Sequence, residues 1–180
     1  LTTNQIIEPL DNDWMQDVYE SVAVVTAAYE RFDYAVALEA TEQLFWAFCD
    51  HYIELVKGRA YQETDIKKQQ SACAALLETL SIICRLLAPI LPFVTEEVWG
   101  WRFTKVSTSV HKAKWPKQEN NQQRDYERGI FNCAKLIMGE IRTTKTKAQK
   151  SMKFPVQALV VAGSKTFETQ FKLAAADIAR

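Results

Sequence analysis

The side chains that could perform catalysis or hold a metal are few and widely spaced. No two of the cysteines, Cys49, Cys73, Cys84 and Cys133, have the short gap of a zinc site, and the two histidines lie far apart. The sequence contains no glycine-rich phosphate loop, no HExxH string and no GxSxG motif. We therefore expect no catalytic residue and no metal site, and we expect the thiols to be free and buried, which suits a cytoplasmic location.

Basic side chains in the last third of the sequence form the clearest candidate binding surface. On a helix over about residues 124–148, four of them fall within about 40° of one another at 100° per residue: Arg124, Arg128, Lys135 and Arg142. Lys145 continues the charge beyond them. Arginine and lysine at this density suit a sugar-phosphate backbone, and a solvated helix face is the alternative.

An aromatic side chain interrupts the charged outer face of a second predicted helix. Trp46 lies there with Asp50 and Lys57, and Arg59 follows near the end of the helix. A large aromatic ring beside ionisable groups can stack on an unpaired base while its neighbours contact the edge of that base. Geometry alone favours the alternative, in which Trp46 packs beneath another element, and Lys57 and Arg59 only complement the helix dipole.

Charge is balanced over the whole chain but not along it. The 180 residues carry 22 basic and 22 acidic groups, with a net charge of −8 over residues 1–60 and +8 over residues 105–153. The positive block could face phosphates, or the two ends could attract each other within one fold. A hydrophobic fraction of 48% excludes a disordered chain. With no long apolar run and no signal segment after Leu1, we expect a piece cut from a longer protein, with no membrane partner.

The apolar spacing predicts an all-α antiparallel helix bundle that positions these side chains. Amphipathic helices are expected over about residues 12–30, 33–61, 64–88, 92–103 and 124–148. In the third of these, the predicted buried seam consists of large side chains and cysteines: Cys73, Leu76, Leu77, Leu80, Ile83, Cys84 and Leu87. A β-branched run over 156–161 predicts a strand, and a helix is expected over 166–179. We predict a helical domain over 1–150 and the start of a small α/β appendage over 151–180.

Four segments carry motifs that recur together in one protein family. They are residues 45–61 (FWAFCDHYIELVKGRAY), 86–99 (LLAPILPFVTEEVW), 110–116 (VHKAKWP) and 141–145 (IRTTK). In their order and spacing they resemble the anticodon-binding domain of class Ia aminoacyl-tRNA synthetases, most closely that of the valyl-tRNA synthetase family. The sequence departs from the family pattern at Lys112 and Lys114, where apolar residues or proline are more common, and this raises the local positive charge.

The resemblance implies a domain that binds the anticodon arm of a valine tRNA within a cytoplasmic ligase. The full-length enzyme would use ATP with Mg on an upstream catalytic domain of the same chain, whereas this segment should bind no cofactor and be inactive alone. The alternatives are the same domain of an isoleucyl, leucyl or methionyl enzyme, or a helical protein-interaction module. The candidate tRNA-binding residues are Trp46, Asp50, Lys57, Arg59, Arg124, Arg128, Lys135, Arg142 and Lys145.

Overall fold

The first long helix, α1 (Pro9–Glu30), begins at a proline, whose missing N–H is not needed in the first turn of a helix. The structure is a computed structural model, and it describes residues 2–62, 64–117 and 127–179. Apolar residues spaced three or four apart along α1 are buried as the sequence predicts, among them Val18, Val22 and Val25. At the centre of the bundle, the Trp14 ring lies 4.7 Å from both the Tyr52 and the Phe131 rings.

The second helical run is continuous but changes its winding in the middle. It comprises α2 (Tyr34–Ala47), a π-helical turn (Phe48–Tyr52) and α3 (Ile53–Gln62). Asp33 begins the run by accepting a hydrogen bond from the Val36 N–H at 3.3 Å, as expected for a residue at this cap position. The sequence predicts one regular helix here. The apolar spacing has the 3.6-residue period of an α-helix and does not indicate that the middle turn is a wider π turn.

Helix α4 (Ile66–Leu87) lies in the core, although its most buried face is not the predicted one. The 0% exposed positions include small residues, such as Ala72, Ala75 and Thr79, whereas Leu80 of the predicted seam is only half-buried. Two large side chains outside the predicted seam, Ile82 and Leu86, are also 0% exposed, whereas all four leucines of that seam are only half-buried. Among the described residues, α4 alone is long and apolar enough to cross a membrane, and 61% of that window is buried inside the bundle.

A smaller cluster joins the end of α4 to the helix that follows it. Helix α5 (Pro92–Arg102) starts after the two-proline break that the sequence predicts. A short 3-10 turn, Val110–Lys112, closes against it. The cluster buries five side chains: Cys84, Ala88, Trp99, Phe103 and Val110.

Helix α6 (Ile130–Lys147) begins later than the sequence predicts. Gly129 precedes it with φ of 84°, a left-handed conformation that a side chain would strain, and an added Cβ would lie 2.7 Å from Gln170 Nε2. The carboxylate of Asp13 accepts hydrogen bonds from the N–H groups of Gly129 (3.1 Å) and Phe131 (2.8 Å), which fixes the start of α6. Arg128 therefore lies before the helix, so the predicted helix over 124–148 is wrong at its beginning.

The predicted strand over 156–161 is also wrong. The described residues contain no strand, and this segment has no regular secondary structure and is largely exposed, with Val160 at 92% exposure. A β-branched run needs a neighbouring strand to satisfy its N–H and C=O groups, and no such strand lies within the described ranges. The following helix, α7 (Lys165–Ile178), packs on α1, α3 and α6. The fold is thus an all-α bundle without the expected α/β appendage, and the boundary at residue 150 stays a prediction.

Candidate nucleic-acid interface

An open cleft lies between the π turn and helix α6. Its volume is about 590 Å³, and we call it the α6 cleft. The second helical run contributes Cys49, Asp50, His51 and Glu54, and the carboxyl-terminal half of α6 and the segment after it contribute Met138, Ile141, Arg142, Lys145 and Met152. The cleft thus combines carboxylates, cations and an apolar wall, and it brings together three of the predicted site residues: Asp50, Arg142 and Lys145.

The two cations of the α6 cleft are held by neutral partners. Both terminal nitrogens of Arg142 donate to the backbone carbonyl of Asp50 at 3.2 Å. Lys145 Nζ donates to the backbone carbonyl of Met152 at 2.8 Å. No carboxylate of the described residues lies within ion-pair distance of either side chain. A carbonyl fixes the direction of a cation without neutralising it, so both charges remain available to an anion.

The sequence prediction missed a polar atom in the wall of the α6 cleft. His51 Nδ1 is buried and has no hydrogen-bond partner among the described residues. Burial, together with the positive charges of Lys135 and Arg142, lowers the pKa of His51, and the negative charge of Asp50 opposes this shift only in part. The imidazole is therefore neutral at pH 7, with an unused ring nitrogen. The sequence alone places His51 inside the motif of residues 45–61 but does not indicate which way its ring faces.

Two further predicted cations lie on the surface near the cleft. Lys57 is exposed and donates to Glu54 Oε2 at 2.7 Å, an ordinary pair between neighbouring turns of a helix. Lys135 is exposed on α6 and contributes to the positive potential at His51. Arg124 lies outside the described residues.

Arg59 is not a surface residue, so the structure gives its predicted contact with tRNA no support. Its side chain is 2% exposed, and it donates to both oxygens of Asp11 (2.6 and 2.7 Å) and to both oxygens of Asp177 (2.9 and 3.2 Å). Burial alone would lower the pKa of Arg59, but its bonds to these carboxylates outweigh burial and raise that pKa above its ordinary value. Tyr52 and Ser71 also donate to Asp11, at 2.7 and 2.6 Å, so the network is closed to an external phosphate.

Arg128 does not belong to a cationic helix edge either. Its guanidinium pairs with three carboxylates of α1, those of Asp13 (3.1 Å), Asp17 (2.8 Å) and Glu20 (3.2 Å). Acidic residues of the amino-terminal block therefore neutralise Arg128. This agrees with the alternative interpretation of the charge pattern, in which the acidic and basic ends of the chain attract each other within one fold. The cationic edge reduces, within the described residues, to the part of α6 from Lys135 onward.

Trp46 lies in a different depression from the cations of the α6 cleft. It is 57% exposed and borders a groove of about 310 Å³ between α2 and α5, with α4 as its floor. The groove is lined by apolar side chains from these three helices and by a single carboxylate, that of Glu42. We call it the apolar groove. A role for Trp46 in stacking on a base stays a prediction.

Comparison with known proteins assigns the chain to a class. Residues 11–160 match the family described as the anticodon-binding domain of tRNA ligase, and the chain belongs to this family. Among its relatives, the valine–tRNA ligase of Leifsonia xyli is 42% identical over 160 residues, which are 88% of this chain and 18% of that protein. The valine–tRNA ligases of Salinispora tropica and Salinispora arenicola are 38% and 35% identical over 96% of this chain, which is 22% of each of them. The chain spans about a fifth of the length of these relatives.

Proposed function

We propose that this chain binds the anticodon arm of a valine tRNA as a domain of a cytoplasmic valine–tRNA ligase. The family match, the relatives and the open, charged α6 cleft support this proposal. In the full-length enzyme, an upstream catalytic domain would aminoacylate valine tRNA with ATP and Mg. This domain would be inactive alone, because its contribution to catalysis is to orient the tRNA whose acceptor end reacts elsewhere.

The observation that carries the proposal is the pair of cations in the α6 cleft that are bonded only to carbonyls. Arg142 and Lys145 would bind phosphates and fix the position of the RNA on the surface. The exposed carboxylates of Asp50 and Glu54 would then contact the edge of an unstacked base. Single-stranded loops present bases in this way, as an anticodon loop does.

A salt titration of tRNA binding tests this proposal. The double variant Arg142→Ala/Lys145→Ala removes two cations from the α6 cleft, and the matched control Lys67→Ala/Lys165→Ala removes two exposed cations from α4 and α7. Each lost phosphate contact should reduce the slope of log affinity against log salt by about 0.7–0.9. We expect a reduction of roughly 1.5 for the cleft variant and none for the control, with a valine tRNA transcript as the probe.

Two other results would contradict the proposal in different ways. Tighter binding of an isoleucine tRNA transcript than of a valine tRNA transcript would favour the same domain of the isoleucyl enzyme. A chain that melts cooperatively but binds neither transcript at low salt would favour a protein-interaction module, because sequence-independent phosphate contacts are strongest under those conditions.

A further inference from the structure

A second cationic surface lies at the opposite end of α1 from the start of α6. Between Glu97 and Glu119 the sequence contains no Asp or Glu but five Lys or Arg residues, all of them exposed: Arg102, Lys105, Lys112, Lys114 and Lys117. This segment is therefore a second region of net positive charge, apart from the α6 cleft.

A small pocket opens within this surface. Its volume is about 170 Å³, and it is lined by Arg85, Ala88, Pro89, Val110, His111, Ala113 and Trp115. We call it the Arg85 pocket. At about 30 Å³ for each water molecule, it has room for about five waters, which is enough for a phosphate group but not for a nucleotide.

The guanidinium of Arg85 is held in place without being fully neutralised. Its Nε donates to the Ser81 carbonyl at 3.0 Å, and one terminal nitrogen donates to the Lys114 carbonyl at 3.4 Å. Its one described carboxylate partner, Glu78, lies at 3.6 Å, which is too long for a strong charged hydrogen bond. Burial lowers the pKa of Arg85, and the nearby negative charge of Glu78 only partly offsets this effect. An anion in the pocket would complete its neutralisation.

The walls of the Arg85 pocket are pre-formed. Trp115 Nε1 donates to Thr26 Oγ1 at 2.9 Å, and the Trp115 ring meets the Tyr29 ring edge-on at 5.5 Å. On the other side, His111 Nε2 lies 3.2 Å from the Pro92 carbonyl, which can only accept a hydrogen bond, so Nε2 carries a proton. A ligand would therefore find the pocket already ordered, and little conformational entropy would be lost on binding.

The turn that carries the lysines is fixed as well. Glu96 Oε2 accepts hydrogen bonds from Ser109 Oγ at 3.0 Å and from the Val110 N–H at 2.9 Å. The carboxylate nearest to the Val110–Lys112 turn is therefore occupied by the backbone and side chain of that turn. Lys112 and Lys114 have no ion-pair partner among the described residues. Both are exposed and are next in sequence to residues that line the pocket.

We propose that the Arg85 pocket binds a phosphate of an RNA backbone, with Arg85 in its wall and the neighbouring Lys112 and Lys114 adding positive charge. This inference rests on the proposed function and adds a second contact to it. Trp14 touches Phe131 of α6, and Tyr29, fifteen residues further along α1, touches Trp115. At 1.5 Å per residue, the two contacts are separated by about 22 Å along α1. The Arg85 pocket and the α6 cleft share no lining residue. Phosphates bound in both would therefore be separate contacts, and two contacts would set the direction of an RNA arm, which one contact cannot do.

The test is a double-variant titration with a valine tRNA transcript as the probe. Lys112→Ala/Lys114→Ala changes two exposed side chains and should leave the melting temperature unchanged. Its salt slope should fall by about 0.7–0.9, the effect of one lost phosphate contact, and combining it with Arg142→Ala/Lys145→Ala should lower the slope by the sum of both effects. The control Lys67→Ala/Lys165→Ala should behave as the parent.

The outcomes separate this inference from the proposed function. A slope unchanged by Lys112→Ala/Lys114→Ala, while the cleft variant lowers it, overturns the second contact alone. A parent chain that does not bind the transcript overturns both. Equal competition by polyglutamate and by unlabelled tRNA at matched charge would show a general polyanion surface, and this also overturns the assignment to an RNA backbone.

Discussion

Arginine and aspartate meet in two regions of this bundle, with opposite results. Under α7, Arg59 is enclosed by the carboxylates of Asp11 and Asp177 and is 2% exposed. In the α6 cleft, Arg142 contacts Asp50 through the backbone carbonyl, and the Asp50 carboxylate remains exposed. The first arrangement satisfies every charge internally, and the second leaves both charges available to a ligand.

This difference shows why the count of basic residues does not locate a binding surface. A buried guanidinium must be neutralised where it lies, because an unpaired charge away from water is very costly. A cation that is oriented by a carbonyl at the surface has no such requirement. The partner atom, and not the residue type, separates structural arginines from those that can bind RNA. The following four variants test this distinction, beginning with the largest expected effect.

Replacing Arg59 by methionine should destabilise the bundle most. Arg59→Met leaves the carboxylate of Asp11 buried and uncompensated, and removing one partner of a buried pair costs about 3–5 kcal/mol. Urea unfolding measures this loss. The matched control Arg142→Met should cost less than about 0.5 kcal/mol, as is usual for surface substitutions. Equal unfolding midpoints for the two variants would contradict the distinction between a structural Arg59 and a surface Arg142.

Arg128 is an intermediate case, because it is 46% exposed but pairs with the buried Asp13. We expect Arg128→Ala to lower the free energy of unfolding by about 1–2 kcal/mol, since Asp13 keeps its hydrogen bonds from the start of α6. Screening in 1 M salt should reduce this effect but leave that of Arg59→Met unchanged. Lys172→Ala, which breaks an exposed pair with Glu168, is the control and should leave the free energy of unfolding nearly unchanged. If the loss of unfolding free energy in Arg128→Ala does not change with salt, Arg128 is a structural arginine like Arg59.

Arg142→Lys sharpens the assignment of the α6 cleft. Lysine keeps the charge but cannot hold the Asp50 carbonyl with two nitrogens at once. We expect the affinity for a valine tRNA transcript to fall by about two- to threefold, with the salt slope unchanged, because the slope counts charges and not their geometry. If the salt slope of Arg142→Lys instead falls as much as that of the alanine variant, the phosphate contact depends on the position of the cation and not on its charge alone.

The smallest effect is expected for Trp46→Ala. The apolar groove that Trp46 borders is lined by no lysine or arginine of the described residues, so a phosphate backbone has no partner there. We expect less than a twofold change in affinity for the same transcript. A base stacked on this ring would contribute about 1–3 kcal/mol, which is at least fivefold. A loss of that size would restore the sequence-based prediction of base stacking.

The spacing of apolar residues predicted the buried positions correctly where a helix has one clear apolar face. The three-four spacing along α1 correctly identifies Val18, Val22 and Val25 as buried. The same reasoning found only part of the buried face of α4: Ile83 and Cys84 of the predicted seam are buried, but it missed the fully buried Ala72 and Ala75, because it gives weight to large apolar side chains. Periodicity indicates which residues are apolar, and packing decides which of them are at the centre.

The errors in the candidate site come from partners that are distant in sequence. Arg59 meets carboxylates 48 and 118 residues away, and Arg128 meets one 115 residues away. Charge patterns show that such pairs are possible but not which of them form. The strand prediction failed for a related reason, because a strand is stable only beside another strand. The motif of residues 141–145, in contrast, includes both Arg142 and Lys145 of the α6 cleft.

The bond between Asp177 and Arg59 has a consequence for motion at the carboxyl-terminal end of the bundle. Lifting α7 away would remove one of the two counter-charges of a guanidinium that water does not reach. Terminal helices commonly fray at little cost, but this one cannot separate without disturbing α1 and α3. Amide hydrogens around Asp177 should therefore exchange with solvent almost as slowly as those beside Trp14, so that the last helix and the first open together.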